Sequence, residues 1–135
     1  MDRRDFLKSG LFAAAASAII GPKALAQEVE KQAVRERLSR EILNYNSQMQ
    51  YRPMGRTGVN VSALGFGLLR LPMLADGKTV NSDLSVAMIH RAIEGGVNYI
   101  DTGRVYLGGQ SEAVAGRALK GTWRDRVYVT SKSPW

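Results

Sequence analysis

The stretch that decides the fold is "YIDTGRVYLGGQSEAVAGRAL", Tyr99 to Leu119. An apolar pair, Tyr99-Ile100, runs straight into a carboxylate, Asp101. A phenol follows at Tyr106, then a glycine pair, then Ser111-Glu112, a helix-start pattern. What an acid does at the end of an apolar strand depends on the elements around it. Val97–Asp101 reads as a strand, Ser111 to about Lys120 as a helix stopped by Gly121, and Val127–Ser131 as another strand. Upstream, Ser82-Asp83 starts a helix through Glu94, with Val86, Ile89 and Ile93 inward and Gly95-Gly96 at its end. Ala63–Gly67 is a short buried strand, followed by an apolar loop, Leu68–Leu74, and a turn at Asp76-Gly77. Before it, Pro53, the turn Gly55–Gly58 and the alternation of Val59, Val61 and Ala63 read as a hairpin.

Strands alternating with helices imply βαβ units, a parallel sheet and right-handed crossovers. Three strands and two helices make only the opening portion of a larger α/β fold, since a barrel takes eight strands and about 250 residues. In a parallel sheet every strand's carboxyl end lies on one face, and in (β/α)8 barrels that face carries the active site. Asp101 ends one strand, Lys132 follows the next, and Tyr106 lies in the loop between, so all three converge. An ammonium close to a phenol stabilises the phenolate, which makes the phenol a better proton donor. The carboxylate in turn keeps the ammonium charged and oriented.

Composition removes several alternatives. The 135 residues contain no cysteine, which excludes disulfides, cysteine-ligated zinc and iron–sulfur clusters within this chain. The single histidine, His90, rules out a multi-histidine metal site, and it falls inside a helix as a surface or packing residue. Net charge is +7, and +5 once the four basic and two acidic residues of 1–26 are set aside. The remaining basic residues are scattered or interleaved with acids, unlike the clustered face a nucleic acid requires.

Residues 1–26 read as an address. A charged start holds Arg3 and Arg4, an apolar run spans Gly10 to Ile20, and Ala24–Ala26 supplies small residues for cleavage before Gln27. That run is shorter than the roughly 20 residues of a membrane span, so no stable span is expected. The arginine pair with Phe6, Leu7 and Lys8 resembles the twin-arginine export signature, which implies the twin-arginine translocase as a transient partner and a periplasmic or otherwise exported product. Residues 27–49 are polar with a thin stripe of Val34, Leu38 and Ile42, and read as an exposed helical linker over Gln27–Gln48. Residues 50–135 form the domain.

Three segments, "YRPMGRTGVNVSALGFG" (51–67), "RAIEGGVNYIDTGRVYLGGQSEAVAGRAL" (91–119) and "RDRVYVTSK" (124–132), resemble in order and spacing the start of aldo/keto reductases. "LGFG", "RLP" and "YLGGQSE" look most like the bacterial oxidoreductase branch that often carries twin-arginine signals and iron–sulfur tails. The resemblance implies a (β/α)8 barrel with a bottom-capping β-hairpin. It implies reduction of a small carbonyl substrate with NADPH or NADH, using an Asp–Tyr–Lys–His tetrad. Its first three members fall on Asp101, Tyr106 (the general acid) and Lys132. Cofactor contacts fall on Gly67, Leu68 and Asp101, and an iron–sulfur cluster only in a longer chain. The tetrad histidine belongs one strand–helix repeat beyond Lys132, outside these 135 residues, so this chain alone is expected to be inactive. Gly103 stands where the family usually has alanine, which is expected to loosen the loop of Tyr106.

Two other readings compete. A non-catalytic truncated or interaction module exported by the same route predicts no nicotinamide binding even by a full-length form. A small binding protein complete at this length predicts a discrete ligand and a cooperative fold. "GGQSE" lacks the spacing of a phosphate-binding P-loop, and Gly65-x-Gly67 lacks the third glycine of a dinucleotide fingerprint.

Overall fold

A computed structural model describes residues 21–133, so the charged start and apolar run of the export address lie outside the described residues. The chain divides into two compact units, Met1–Leu38 and Ser39–Trp135. Helix α1, Pro22–Glu41, begins at a proline, whose fixed φ suits the first helical position, and none of its residues is buried. It begins and ends earlier than the Gln27–Gln48 expected from the apolar stripe. Beyond its end, Asn44 takes a positive φ of 54°. The Asn44 amide then donates to the carbonyls of Ile93 and Val97 at 2.6 and 3.0 Å. Residues 42–50 are therefore turns fastened to the domain by side-chain amides, a pattern with no helical period to betray it. Among the described residues no helix is long and apolar enough to cross a membrane.

The second unit opens with an antiparallel hairpin of β1 (Tyr51–Pro53) and β2 (Asn60–Ser62), Tyr51 standing opposite Ser62. Three parallel strands follow, β3 (Phe66–Gly67), β4 (Tyr99–Asp101) and β5 (Tyr128–Thr130). Helix α2 (Ser82–Glu94) crosses from β3 to β4, and α3 (Gln110–Ala118) from β4 to β5. Sheet order is β3-β4-β5, the order of the sequence. Successive strands laid side by side, each joined by a helix, are the winding of a (β/α)8 barrel; a doubly wound sheet reverses its strand order. The unit is the opening portion of such a barrel.

Local chemistry explains the elements. The Asn81 side chain caps α2 by accepting the Leu84 N–H at 3.1 Å, and Asp83 and Arg91 sit at the ends that suit their charges. Ile89 and Ile93 of α2, Val114, Ala115 and Ala118 of α3, and Ile100 and Val127 from the strands form one buried core with Leu68 and Leu71. The hairpin is fastened by Asn98, fully buried just before β4. Its amide oxygen accepts the Ser62 N–H at 2.7 Å, and its amide nitrogen donates to Leu43 and Asn60 carbonyls at 2.8 and 3.1 Å. Two short 3-10 turns, Leu68–Arg70 and Gly121–Arg126, replace stretches that read as plain loop, and Tyr106–Gly109 turns through left-handed backbone at Leu107 and Gly108.

Candidate active site

Side chains alternate across a strand, so Ile100 points into the core under the helices while Tyr99 and Asp101 share the opposite face. There the Tyr99 hydroxyl meets the Thr130 hydroxyl at 2.7 Å, tying β4 to β5. Pairing places Gly67 beside Asp101 and Asp101 beside Thr130, so the three strand ends stand in one row. Lys132 lies two residues past Thr130 and returns over the row.

Its ammonium lies 2.6 Å from each oxygen of the Asp101 carboxylate and 3.2 Å from the Thr102 carbonyl. The same ammonium sits 4.9 Å from the centre of the Tyr106 ring. Hydrogen bonding to Asp101, and secondarily to Tyr106, holds the lysine above its ordinary pKa of 10.5, against a smaller opposing effect of burial. Asp101 is 30% exposed and Lys132 48%, so the pair stands at a rim open to solvent. The structure thus brings together the carboxylate, phenol and ammonium singled out in the sequence.

Backbone bonds hold the two loops in place. Thr102 N–H donates to the Thr130 carbonyl at 2.8 Å and Arg104 N–H to the Lys132 carbonyl at 3.0 Å. The Tyr106 N–H turns back to the Gly103 carbonyl at 3.0 Å. The phenol ring then lies on Gly103: a Cβ there would stand 3.1–3.3 Å from three ring carbons. Gly103 therefore seats the ring closely, where the sequence suggested only a looser loop.

The cofactor expectations divide. Gly67 lies beside Asp101 with open space above it, since a Cβ would meet nothing within 4 Å. Leu68, the next residue, alternates to the side of Ile100, where it is fully buried in the core, and Leu69 is exposed. His90 is a packing residue: its ring stacks on Trp123 at 3.9 Å and its Nε2 lies 2.7 Å from the Ala118 carbonyl. Thr102, whose carbonyl touches the ammonium, was not singled out in the sequence. Its signal was available as a hydroxyl residue directly after the strand-ending acid.

A family model described as the aldo/keto reductase family matches residues 63–135. The chain belongs to the aldo/keto reductase family. Two solved structures agree. The aldo-keto reductase AKR11C1 from Bacillus halodurans, in its holo form, is 30% identical with a TM-score of 0.54, over 63% of this chain and 26% of its own. A thermostable aldo-keto reductase, Tm1743, in complex with the inhibitor epalrestat, is 31% identical with a TM-score of 0.51, over 62% of this chain and 30% of its own. This chain therefore spans between a quarter and a third of the length of those aldo/keto reductases. Its matched part begins with the strand β3 region and includes Asp101, Tyr106 and Lys132.

Proposed function

We propose that this chain supplies the acid–base centre of an NAD(P)H-dependent carbonyl reductase, with Tyr106 as general acid, Lys132 as its tuning cation and Asp101 as the anchor of that cation. The observation that carries this reading is the Lys132 ammonium, gripped by both Asp101 oxygens at 2.6 Å and placed beside Tyr106. A bare surface lysine would sample many rotamers; this one is fixed by a carboxylate that is itself fixed by the sheet.

The residues fit a nicotinamide. The open space over Gly67, next to Asp101, admits a flat ring, and Gly67, Asp101 and exposed Leu69 would hold it. NADPH or NADH supplies the hydride that reaches the carbonyl carbon. The Tyr106 hydroxyl gives its proton to the carbonyl oxygen as charge develops there, and Lys132 stabilises the phenolate left behind. Asp101 holds the ammonium in place throughout. The substrate in this reading is a small aldehyde or ketone. The reaction is proposed for the complete barrel, and residues 1–135 alone are proposed not to turn over, because the tetrad histidine and further cofactor contacts belong to later strands. The iron–sulfur branch suggested by "LGFG" and "YLGGQSE" would place any cluster in a longer chain.

We further propose export by the twin-arginine route, supported by Arg3-Arg4 with Phe6, Leu7 and Lys8 and by Ala24–Ala26. A route that carries folded proteins allows the cofactor to leave the cytoplasm already bound.

The test is made on the protein purified from its native cells, with its intact mass determined first. NADPH consumption with a small aldehyde is then compared with Tyr106→Phe. The reading expects a loss of about 10²–10⁴-fold in kcat, the usual share of general acid catalysis. Absence of nicotinamide binding by the complete barrel would sink the reading and favour a non-catalytic interaction module.

A further inference from the structure

The motif "GGQSE" has no part in the chemistry above, yet Gln110, Ser111 and Glu112 each make side-chain hydrogen bonds to other segments of the domain. Gln110 accepts the Val80 N–H at 2.9 Å and donates to the carbonyls of Lys78 and Leu107 at 2.9 and 3.1 Å. Ser111, fully buried, donates to the Leu68 carbonyl at 3.0 Å. A serine hydroxyl has one hydrogen, so the second contact, 2.7 Å to the Thr102 hydroxyl, is one in which Thr102 donates. Glu112 accepts the Ser131 hydroxyl at 2.5 Å.

The partners are the telling part. Thr102 directly follows Asp101, and its carbonyl touches the Lys132 ammonium at 3.2 Å. Ser131 directly precedes Lys132. Consecutive side chains at the start of α3 therefore grip the two residues that flank the ion pair, one on each loop. We infer that Ser111 and Glu112 form a positioning clamp, acting through Thr102 and Ser131, that sets the separation of Asp101 and Lys132. Neither clamp residue reaches the reacting atoms. The significance of the clamp for catalysis rests on the reductase reading; its effect on the ion pair does not.

Two pairs of variants test it. Thr102→Val and Glu112→Ala each remove one grip, while Thr102→Ser and Glu112→Gln keep an atom that can make the same hydrogen bond. The readout is the pH titration of the Lys132 side chain by nitrogen-15 NMR, on the folded chain without cofactor or substrate. Thr102→Val and Glu112→Ala are expected to move that titration down toward the ordinary lysine value, and the conservative variants to restore it. Glu112→Gln separates the grip from the loss of a negative charge. In the complete enzyme each breaking variant is expected to lower kcat by roughly 10–100-fold with KM little changed, the scale of a small misplacement of reacting groups. If Thr102→Val fails to fold, Glu112→Ala, on a half-exposed residue, decides alone. A Lys132 titration unchanged in the folded breaking variants overturns the clamp, whether or not kcat falls. A shifted titration with no reductase activity in any form of the protein leaves the clamp standing and overturns the reductase reading instead.

Discussion

At Lys132, Asp101 takes hydrogen bonds on both of its oxygens, the Thr102 carbonyl is a third neighbour, and the Tyr106 ring lies alongside. The lysine pKa is raised in the folded protein, so the pair's contribution to stability is complete below the unfolded value, near 10.5, and is lost as pH rises through the raised one. Thermal midpoints of the protein and of Asp101→Asn are expected to differ steadily from neutral pH upward and to converge in strongly alkaline solution. A difference that instead closes near neutrality would show the pair is not formed. Gly103→Ala tests the neighbouring contact. The added methyl would press on three ring carbons of Tyr106 at 3.1–3.3 Å, so the ring must shift by a few tenths of an ångström. Tyr106 ring proton resonances are expected to move while β4 and α3 resonances stay. Asp101, Tyr106 and Lys132 were legible as a group because parallel strands carry their carboxyl ends, and the loops that leave them, on one side, which needs no knowledge of packing. Leu68, next after Gly67, falls on the buried side with Ile100 by the ordinary alternation of a strand.

Among the elements, α2 shows how far sequence carries: its span, Ser82–Glu94, is the one that the Ser82-Asp83 start and the glycine stop predict. The strands are shorter than their apolar runs: ahead of β4, the Val97 side chain goes to the core and the Asn98 side chain to the hairpin. Asn98 is the element-scale fastener. Asn98→Ala would strand the buried Ser62 N–H and two carbonyls, at a cost of about 1–3 kcal/mol in unfolding free energy by urea titration. The turn before α2 gives a second pH test. Asp76 accepts from the Thr79 hydroxyl at 2.6 Å and from the backbone of Thr79 and Lys78, bonds that hold its carboxyl below the ordinary 3.8. A depressed carboxyl contributes stability above its unfolded value and loses it as pH falls through the folded one. Asp76→Asn is therefore expected to narrow the acid-induced loss of stability below about pH 4, read from midpoints across that range. The glycine at 96 was legible as a helix stop, but its stricter duty was not. At φ 95° any Cβ would stand 2.6 Å from Asn46 and 2.9 Å from the Tyr51 hydroxyl. That crowding arises from residues some 45 positions upstream, beyond the reach of local pattern.

On the scale of the molecule, family membership and the barrel's winding were readable from motif order alone, whereas residues 42–50 were not, because their role lies in amide contacts to carbonyls far along the chain. The export proposal also belongs at this scale. Arg3→Lys combined with Arg4→Lys is expected to keep the precursor inside the cell at its uncleaved mass, while the unaltered protein is found outside the inner membrane beginning at Gln27. Equal secretion of both forms, read by fractionation and intact mass, would remove the twin-arginine reading. The bonds from Thr102 N–H to the Thr130 carbonyl and from Arg104 N–H to the Lys132 carbonyl lace the loop of Tyr106 to the loop of Lys132. Neither loop can swing outward without unzipping its neighbour. Deuterium should consequently enter these two amides at a common slow rate, and the loops that carry the acid and its tuning cation should open together rather than singly.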